Sequence, residues 1–124
     1  MNKMVFADNA PAAVGPYSHG VDTGSFFFCS GQLGLDPEKG ELKEGVREQA
    51  IQSLANMDAV LNAAGYNKTD VVKTTVFIKD MNDFGTVNEV YAEYFGEHKP
   101  ARSCVEVARL PKDALVEIEC IASK

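Results

Sequence analysis

The most constraining feature of this sequence is a stripe of apolar residues with helical spacing in the middle of the chain. Between residues 46 and 64, apolar side chains recur at steps of four, four, three, four and three residues, which is the spacing of one helix face. The stripe consists of Val46, Ala50, Leu54, Met57, Leu61 and Ala64. Gly65 follows, where helices commonly end on a left-handed residue. Because propensity alone stabilises a helix only weakly, this stripe must pack against another layer, which we predict to be a sheet.

Residues 71–79 follow this helix and have the period of a β-strand. They are rich in β-branched and aromatic side chains, and alternate positions of a strand point to opposite faces. One predicted face carries Thr74, Val76 and Ile78, and the other carries Lys73, Thr75 and Phe77. A helix followed directly by such a strand indicates a domain that mixes α and β structure.

A second helix is predicted between Asp83, as its N-cap, and Phe95. Its apolar stripe consists of Phe84, Val87, Tyr91 and Phe95, with Asn88 among them. Gly96 and Pro100 lie just beyond the last of these residues, and both residue types commonly end a helix. We therefore expect this helix to pack on the same sheet as the first.

Further strands are predicted on both sides of this central part. Residues 3–6 form a short apolar stretch, and the aromatic run from Phe26 to Cys29 is predicted to be a buried strand that ends in a turn at Ser30-Gly31. Residues 102–108 and 115–122 are the last two strands, with a turn around Pro111 between them. The order of elements predicts an α+β fold, a mixed sheet of about six strands with two helices on one face. No linker or repeat interrupts the chain, so residues 1–124 are predicted to form a single domain.

The last two strands carry charge on one face only. Arg102, Cys104 and Glu106 share a face of their strand, and Glu117 and Glu119 share a face of the next. Because only one side of the sheet can meet the helices, we expect the side rich in Arg and Glu to face water or another subunit. This pattern indicates an oligomer with polar sites between its subunits.

Charge and composition exclude several classes of function. The formal net charge of −6 repels phosphate backbones, so we expect no nucleic acid partner. No apolar run approaches the roughly 18 residues that span a bilayer, and no signal peptide is recognisable, so we expect no membrane partner. The three cysteines are odd in number and form no C-x-x-C pair, which indicates free thiols and a cytoplasmic location. His19 and His98 stand in no metal-binding motif, so neither a metal nor another cofactor is predicted.

Several short motifs, in order along the whole chain, resemble the Rid/YjgF family. These motifs are Gly15-Pro16-Tyr17-Ser18, Ser30-Gly31-Gln32, residues 73–77, residues 87–91, residues 100–107, Leu110-Pro111 and Val116-Glu117-Ile118. The resemblance implies a chorismate-mutase-like (YjgF-like) fold in which three subunits pack their sheets into a central barrel. It also implies active sites in the clefts between neighbouring subunits of this homotrimer. Cys29 and His19 depart from the family pattern, which more often has Thr and Gln at these positions.

The same resemblance implies an enzyme that acts on reactive metabolites. Members of the family that are called RidA hydrolyse 2-imino and 2-enamino acids, such as 2-aminoacrylate and 2-aminocrotonate, to 2-oxo acids and ammonia. These compounds leak from pyridoxal-phosphate dehydratases that act on serine or threonine, so the implied role is the control of metabolite damage. The implied reaction needs no metal and no organic cofactor.

The resemblance also implies roles for individual residues. Arg102 would bind the substrate carboxylate, for which a planar guanidinium with two parallel donors is suited, and Glu117 would activate water. The residues expected to line the pocket are Tyr17, Ser30, Gly31, Asn88 and Cys104, the last through its backbone. From the residues alone, solvated surface positions are the more usual interpretation of both Arg102 and Glu117, and the surrounding family motif reverses it for Arg102. Glu119 is a rival for the role of Glu117.

A geometric argument adds a constraint on how the site is assembled. If the last two strands pair as a hairpin, Glu117 lies opposite Glu106, and Arg102 lies four residues away, about 13 Å along the strand. This separation is too large for two groups that grip one small acid. We therefore predict that Arg102 and Glu117 of one site come from different subunits.

Two other classes of function remain open at this stage. Some members of the family are described as translation inhibitors with endoribonuclease activity, although this acidic sequence has neither a basic cluster nor a pair of neighbouring histidines. The other alternative is a regulator that binds 2-oxo acids without catalysis. Release of 2-oxo acid in the presence of a dehydratase and its amino acid would distinguish the enzyme from the regulator.

Overall fold

Two helices pack on one face of a six-stranded sheet in the computed structural model, which describes residues 1–124. The strands are β1 (Lys3–Val5), β2 (Gly20–Asp22), β3 (Phe26–Leu33), β4 (Val71–Ile78), β5 (Ala101–Glu106) and β6 (Val116–Ser123). The helices are α1 (Gly45–Ala63) and α2 (Phe84–Phe95). The strand order is β1-β2-β3-β6-β4-β5, and all neighbours are antiparallel except β4 and β5. The predicted α+β fold is confirmed.

Helix α1 forms because its apolar stripe is buried between the sheet and α2. The side chains of Ala50, Leu54, Met57 and Leu61 are at most 1% exposed, and they belong to one continuous core with the inner faces of β3, β4 and β6. Gly65 follows the helix with a φ of +84°, the left-handed conformation that the sequence predicts. This part of the sequence-based prediction is confirmed.

Buried polar side chains of α1 attach the end of β3 to the helix. The hydroxyl of Ser53 donates to the carbonyl of Gln32 at 2.7 Å, and the amide of Asn56 donates to the carbonyls of Leu33 and Leu35 at 3.0 and 2.9 Å. Because these bonds satisfy the carbonyls where β3 ends, the chain after the strand has a fixed position. The end of β3 is one wall of the candidate site described below.

Strand β3 is longer than the sequence predicts. It does not end at Ser30-Gly31 but continues to Leu33 with a β-bulge, because Cys29 pairs with Cys120 and Gln32 pairs with Ile118. Three steps on β3 therefore match two steps on β6, and one residue is extra. A serine and a glycine are typical both of a turn and of a bulge, so the local pattern does not distinguish them.

The last two strands do not form a hairpin, which is a second correction. Strand β4 lies between β5 and β6, and β5 runs parallel to β4 after a crossover through α2. Thr74 of β4 is the partner of Arg102, and Phe77 of β4 is the partner of Glu117. Local patterns predict that β5 and β6 exist, but strand pairing depends on long-range packing that no local pattern contains.

Helix α2 occupies the predicted range, but its N-terminus is capped differently. Asp83 stands at the N-cap position without a side-chain capping bond. A short 3₁₀ turn at Met81–Asp83 precedes the helix, and the carboxylate of Asp80 accepts a bond from the amide of Asn82 at 2.9 Å. None of the strands predicted from the sequence lies at the position of β2. Neither helix has the length and apolar character that a membrane span requires.

The sheet face without helices is partly apolar and uncovered in the single chain. Phe26 and Phe28 of β3 are each 45% exposed, and Val105 of β5 is 42% exposed. Phe27, which lies between the two phenylalanines in β3, points to the helices and is buried. We call this surface the open face.

Candidate active site

The predicted site residues form two separate groups. Tyr17, Ser30, Gly31 and Glu117 line one cavity of about 430 Å³, which we call the Glu117 cavity. Asn88 and Arg102 line another cavity at the edge of the sheet, beside helix α2. The structure therefore brings together four of the predicted residues in one place and two in another.

Glu117 lies on the open face of β6, between Leu33 of β3 and Phe77 of β4. Val116 and Ile118, on either side of it in β6, are buried in the core, whereas the side chain of Glu117 is half-buried. Burial raises the pKa of the Glu117 carboxyl above its ordinary value, and the negative charge of Glu119 on the same face raises it further. A carboxylate with a raised pKa accepts a proton more readily, which is the property that a general base needs.

Gly31 provides the space that Glu117 occupies. A Cβ atom added at Gly31 would collide with Oε2 of Glu117 and would come within 2.8 Å of its Cδ. The bulge in β3 brings this glycine against the carboxylate. We conclude that glycine lets the Glu117 carboxylate pack against the backbone here, since a larger residue would have to displace that carboxylate.

Two hydroxyl groups in the Glu117 cavity differ in what they can offer a ligand. The hydroxyl of Ser30 donates to the carbonyl of Ser18 at 2.8 Å. The Ser30 oxygen can therefore accept a hydrogen bond from a ligand but has no further proton to donate. The ring of Tyr17 is 49% exposed and packs 3.5 Å from the position where Gly15 would carry a Cβ. The Tyr17 hydroxyl makes no hydrogen bond within the chain and remains free as a donor or acceptor.

His19 is a structural residue of this cavity whose role the sequence does not reveal. It is 3% exposed; its Nδ1 accepts a bond from the amide of Ala7 at 2.8 Å, and its Nε2 donates to the carbonyl of Pro11 at 2.8 Å. Since a backbone N–H can only donate, these bonds require the neutral ring with its proton on Nε2. His19 thereby fixes the segment that supplies Pro11 and Val14 to the cavity wall.

The remaining wall of the Glu117 cavity is mostly apolar and contains one cation. Leu33 and Leu35 come from the end of β3 and the residues after it, and Pro111 and Lys112 come from the connection between β5 and β6. Lys112 has a φ of +58°, and the next residue, Asp113, has a φ of +56°, so the connection holds two successive left-handed residues that are not glycine. The apolar walls reduce the water around Glu117, in agreement with its raised pKa.

Arg102 projects from β5 onto helix α2. Its Nη1 donates to Oδ1 of Asn88 at 2.7 Å, and its Cζ lies 4.8 Å from the ring centre of Tyr91 and 5.6 Å from that of Phe84. We call this group the Arg102 cradle. The predicted face of Arg102 is thus wrong, because Arg102, Cys104 and Glu106 lie on the helix side of the sheet. Alternation predicts which residues share a face, but not which face meets the helices.

Cys104 is partly buried beside the core, two residues after Arg102. Burial raises the pKa of its thiol, although the charge of Arg102 acts in the opposite direction. The thiol is therefore neutral near pH 7, which makes it a poor nucleophile. The structure contains no group of three or more His, Cys, Asp or Glu side chains that could hold a metal ion.

Within one chain, Arg102 and Glu117 cannot contact the same small molecule. Their strands are separated by β4, and the partners Thr74 and Phe77 place them three residues apart along it, so their backbones lie about 14 Å apart. In addition, Arg102 lies on the helix side of the sheet and Glu117 on the open face. The prediction that Arg102 and Glu117 are too far apart assumed a hairpin of β5 and β6, which is wrong. In the observed sheet, the distance between the two residues is nevertheless slightly larger than predicted.

Comparison with known proteins identifies the family. The model of the family described as Endoribonuclease L-PSP, which is the YjgF/Rid family, matches residues 7–124. A 2-iminobutanoate/2-iminopropanoate deaminase from Salmonella typhimurium is 57% identical over 98% of both chains, and a RutC family protein from Pyrococcus horikoshii is 55% identical over 100% of this chain and 99% of its own. The chain therefore belongs to the YjgF/Rid family, as its sequence motifs predict.

Solved structures agree with this assignment. The crystal structure of Escherichia coli TdcF with bound serine has a TM-score of 0.95 and 51% identity, and covers 98% of both chains. The YjgF gene product from Escherichia coli has a TM-score of 0.95 and 54% identity over the same shares. The predicted YjgF-like architecture of one mixed sheet and two helices is confirmed.

Proposed function

We propose that the protein hydrolyses 2-imino acids and their 2-enamino tautomers to 2-oxo acids and ammonia. The observation that carries this proposal is the half-buried Glu117, whose raised pKa suits a general base, in a cavity that Leu33, Leu35 and Pro111 help to line. The full-length similarity to a 2-iminobutanoate/2-iminopropanoate deaminase supports the same reaction. We also propose that the protein acts in the cytoplasm, because its three cysteines are free thiols.

In the proposed mechanism, Arg102 binds the substrate carboxylate and Glu117 acts on water. Glu117 removes a proton from a water molecule as its oxygen attacks C2 of the imine, which forms a tetrahedral carbinolamine. Glu117 passes this proton to the nitrogen, which becomes an amino group. Glu117 then takes the proton of the C2 hydroxyl and passes it to the same nitrogen, so the C–N bond breaks and ammonia leaves as the C2 carbonyl forms. Since imines hydrolyse readily in water, the site needs mainly to position the carboxylate and the water. Tyr17 and Ser30 would complete the pocket through their available hydroxyl donors and lone pairs.

We further propose that each site is shared by two copies of the chain, most simply in a homotrimer. The separation of Arg102 from Glu117, on opposite sides of the sheet, supports a site that a second copy completes. The open face also exposes Phe26, Phe28 and Val105, which a neighbouring subunit would cover. Small acids are the proposed ligands, and serine bound to TdcF, a relative of the same length, supports this size class.

The activity can be tested by supplying threonine and a threonine dehydratase, and following the release of 2-oxobutanoate. The protein should accelerate this release, and Glu117→Gln should reduce the acceleration by about 100-fold or more, the usual range for loss of a general base. Arg102→Ala should abolish it. Equal rates with and without the protein would contradict the proposal and favour a 2-oxo acid-binding regulator.

The shared site can be tested by mixing two inactive variants. Arg102→Ala and Glu117→Ala proteins, each inactive alone, are unfolded together and refolded. If a site takes Arg102 from one copy and Glu117 from another, random assembly should restore about a quarter of the sites. A mixture that stays inactive, although both variants form oligomers of the wild-type mass, would contradict the shared site.

An endoribonuclease is a second candidate, favoured by the description of the family itself. The chain offers little for this activity, since its net charge is −6 and both ring nitrogens of His19 are engaged by the backbone. RNA cleavage that is lost in Arg102→Ala would support this candidate over the deaminase.

A further inference from the structure

Arg102 is a cation without a carboxylate partner in the chain. None of the ion pairs of the structure includes it, and its one hydrogen bond goes to the neutral amide of Asn88. A carboxylate in place of Asn88 would neutralise the guanidinium and compete with a ligand for its donors. Neutral groups hold the side chain in place and leave its charge, its Nη2 and its Nε available.

The neutral groups come from a single stripe of helix α2. Phe84, Asn88 and Tyr91 follow each other at steps of four and three residues, so all three face β5 and contact the guanidinium. The aromatic faces attract the cation through their quadrupoles, which adds to the hydrogen bond. The apolar stripe that predicts this helix therefore also forms the support for Arg102.

Tyr91 is the most firmly held member of this stripe. Its hydroxyl is bonded to the hydroxyl of Thr74 at 2.7 Å, and its ring packs 4.8 Å from that of Phe95. Thr74 is fully buried and is the strand neighbour of Arg102 on β4. The ring is thus fixed to the same part of the sheet from which Arg102 projects, and only 9% of the residue is exposed, at the cavity that Asn88 and Arg102 also line.

We propose that Tyr91, fixed by its hydrogen bond to Thr74, is a positioning residue that orients the guanidinium of Arg102 for the carboxylate of the ligand. This inference rests on the proposed function, in which Arg102 binds that carboxylate. A guanidinium that is already oriented loses little conformational freedom on binding, so its orientation acts mainly on affinity. Tyr91 acts through Arg102 and has no step of its own in the reaction.

The orientation itself can be measured by nitrogen–proton NMR of the Arg102 guanidinium. In the wild type, we expect separate, slowly exchanging side-chain signals with shifts caused by the Tyr91 ring. Tyr91→Leu should average these signals, whereas Tyr91→Phe should retain them in part because the ring face remains. Tyr94→Leu is a matched control on the same helix, because Tyr94 bonds Asp58 and does not contact Arg102. Unchanged Arg102 signals in Tyr91→Leu would overturn the inference, whatever the protein does to imino acids.

The consequence for binding can be measured with 2-oxobutanoate by calorimetry and with the dehydratase assay. Tyr91→Leu should raise Kd and KM about tenfold, within the range of a partly desolvated cation–π contact, while kcat falls by less than about threefold. In an Arg102→Lys background, the same substitution should have a much smaller effect. Equal effects in both backgrounds would indicate a merely structural role and overturn the inference. Absence of binding and catalysis in the wild type, with the NMR result as expected, would instead overturn the proposed function.

Discussion

The Glu117 cavity and the Arg102 cradle hold their charged groups in opposite ways. Glu117 is placed where its charge is unfavourable, among apolar walls and beside Glu119, and its pKa is raised as a result. Arg102 is placed where its charge is accommodated, by an amide and two aromatic faces. The cavity therefore favours proton uptake by its carboxylate, whereas the cradle keeps its guanidinium charged and fixed in place. This contrast matches the roles of base and carboxylate anchor.

Among the substitutions that test this contrast, we expect Gly31→Ala to have the largest effect on the deaminase rate. The added Cβ would displace the carboxylate of Glu117, so we expect the deaminase rate to fall about 100-fold, close to the loss from removing the base. Binding of 2-oxobutanoate, which we propose to depend on the cradle, should change much less. Gly85→Ala is the matched control, because a Cβ at Gly85 in α2 meets nothing within 4 Å and should leave the rate unchanged. A Gly31→Ala protein of normal activity would contradict the packing of Glu117 against this glycine.

A second prediction concerns the pH dependence of the reaction. Because the proposed base Glu117 would act in its ionised form, kcat/KM should fall about tenfold per pH unit below its raised pKa. Glu119→Gln removes the neighbouring negative charge, which lowers the pKa of Glu117 and should move this limb of the profile to lower pH. A profile that does not move, measured at constant ionic strength, would assign the limb to another group.

A third prediction tests whether the thiol of Cys104, which lies near the Arg102 cradle, takes part in the reaction. Cys104→Ala removes a neutral thiol, so we expect the deaminase rate to change by less than about threefold. Iodoacetamide labelling of the wild type near pH 7 should likewise be slow at this position. A loss of activity as large as that of Glu117→Gln would indicate a covalent role for the thiol.

The smallest expected effect is on stability and follows from the unfavourable position of Glu117. Since its pKa is higher in the folded than in the unfolded chain, the folded chain binds this proton more tightly, and the free energy of unfolding decreases as pH rises through the two values. Glu117→Gln should therefore be slightly more stable than the wild type at pH 7, by less than about 1 kcal/mol because the carboxylate is half in water. Thermal unfolding should show this difference at pH 7 and its loss near pH 4. Lower stability of the variant at pH 7 would contradict it.

The two helices could be predicted closely because their patterns are local. The stripe from Val46 to Ala64 and the stripe from Phe84 to Phe95 each repeat within a few residues, and the structure buries both. The bulge at Ser30-Gly31 could not be predicted, because the partner that defines it, β6, lies about 90 residues away in sequence. For the same reason, the sequence does not distinguish a hairpin of β5 and β6 from the observed arrangement with β4 between them.

The candidate site, like the fold, combines features that the sequence predicts with features that depend on distant segments. Family motifs identify Arg102 and Glu117, and alternation places Glu117 with Glu119 on one face. The contacts of Arg102 with Tyr91 and Asn88 depend on which face of β5 meets α2, and the collision at Gly31 depends on the path of β3 beside β6. These are contacts between residues distant in sequence.

The sequence by itself determined the helices, the alternation of the strands and the chemical types of the residues in the site, because short-range periodicity and residue chemistry are properties of the chain. The tertiary structure alone decided that Glu117 is crowded and that Arg102 is supported on the other side of the sheet. Burial and the neighbouring charge that raise the pKa of Glu117, and the aromatic faces that hold Arg102, arise only when distant segments pack together.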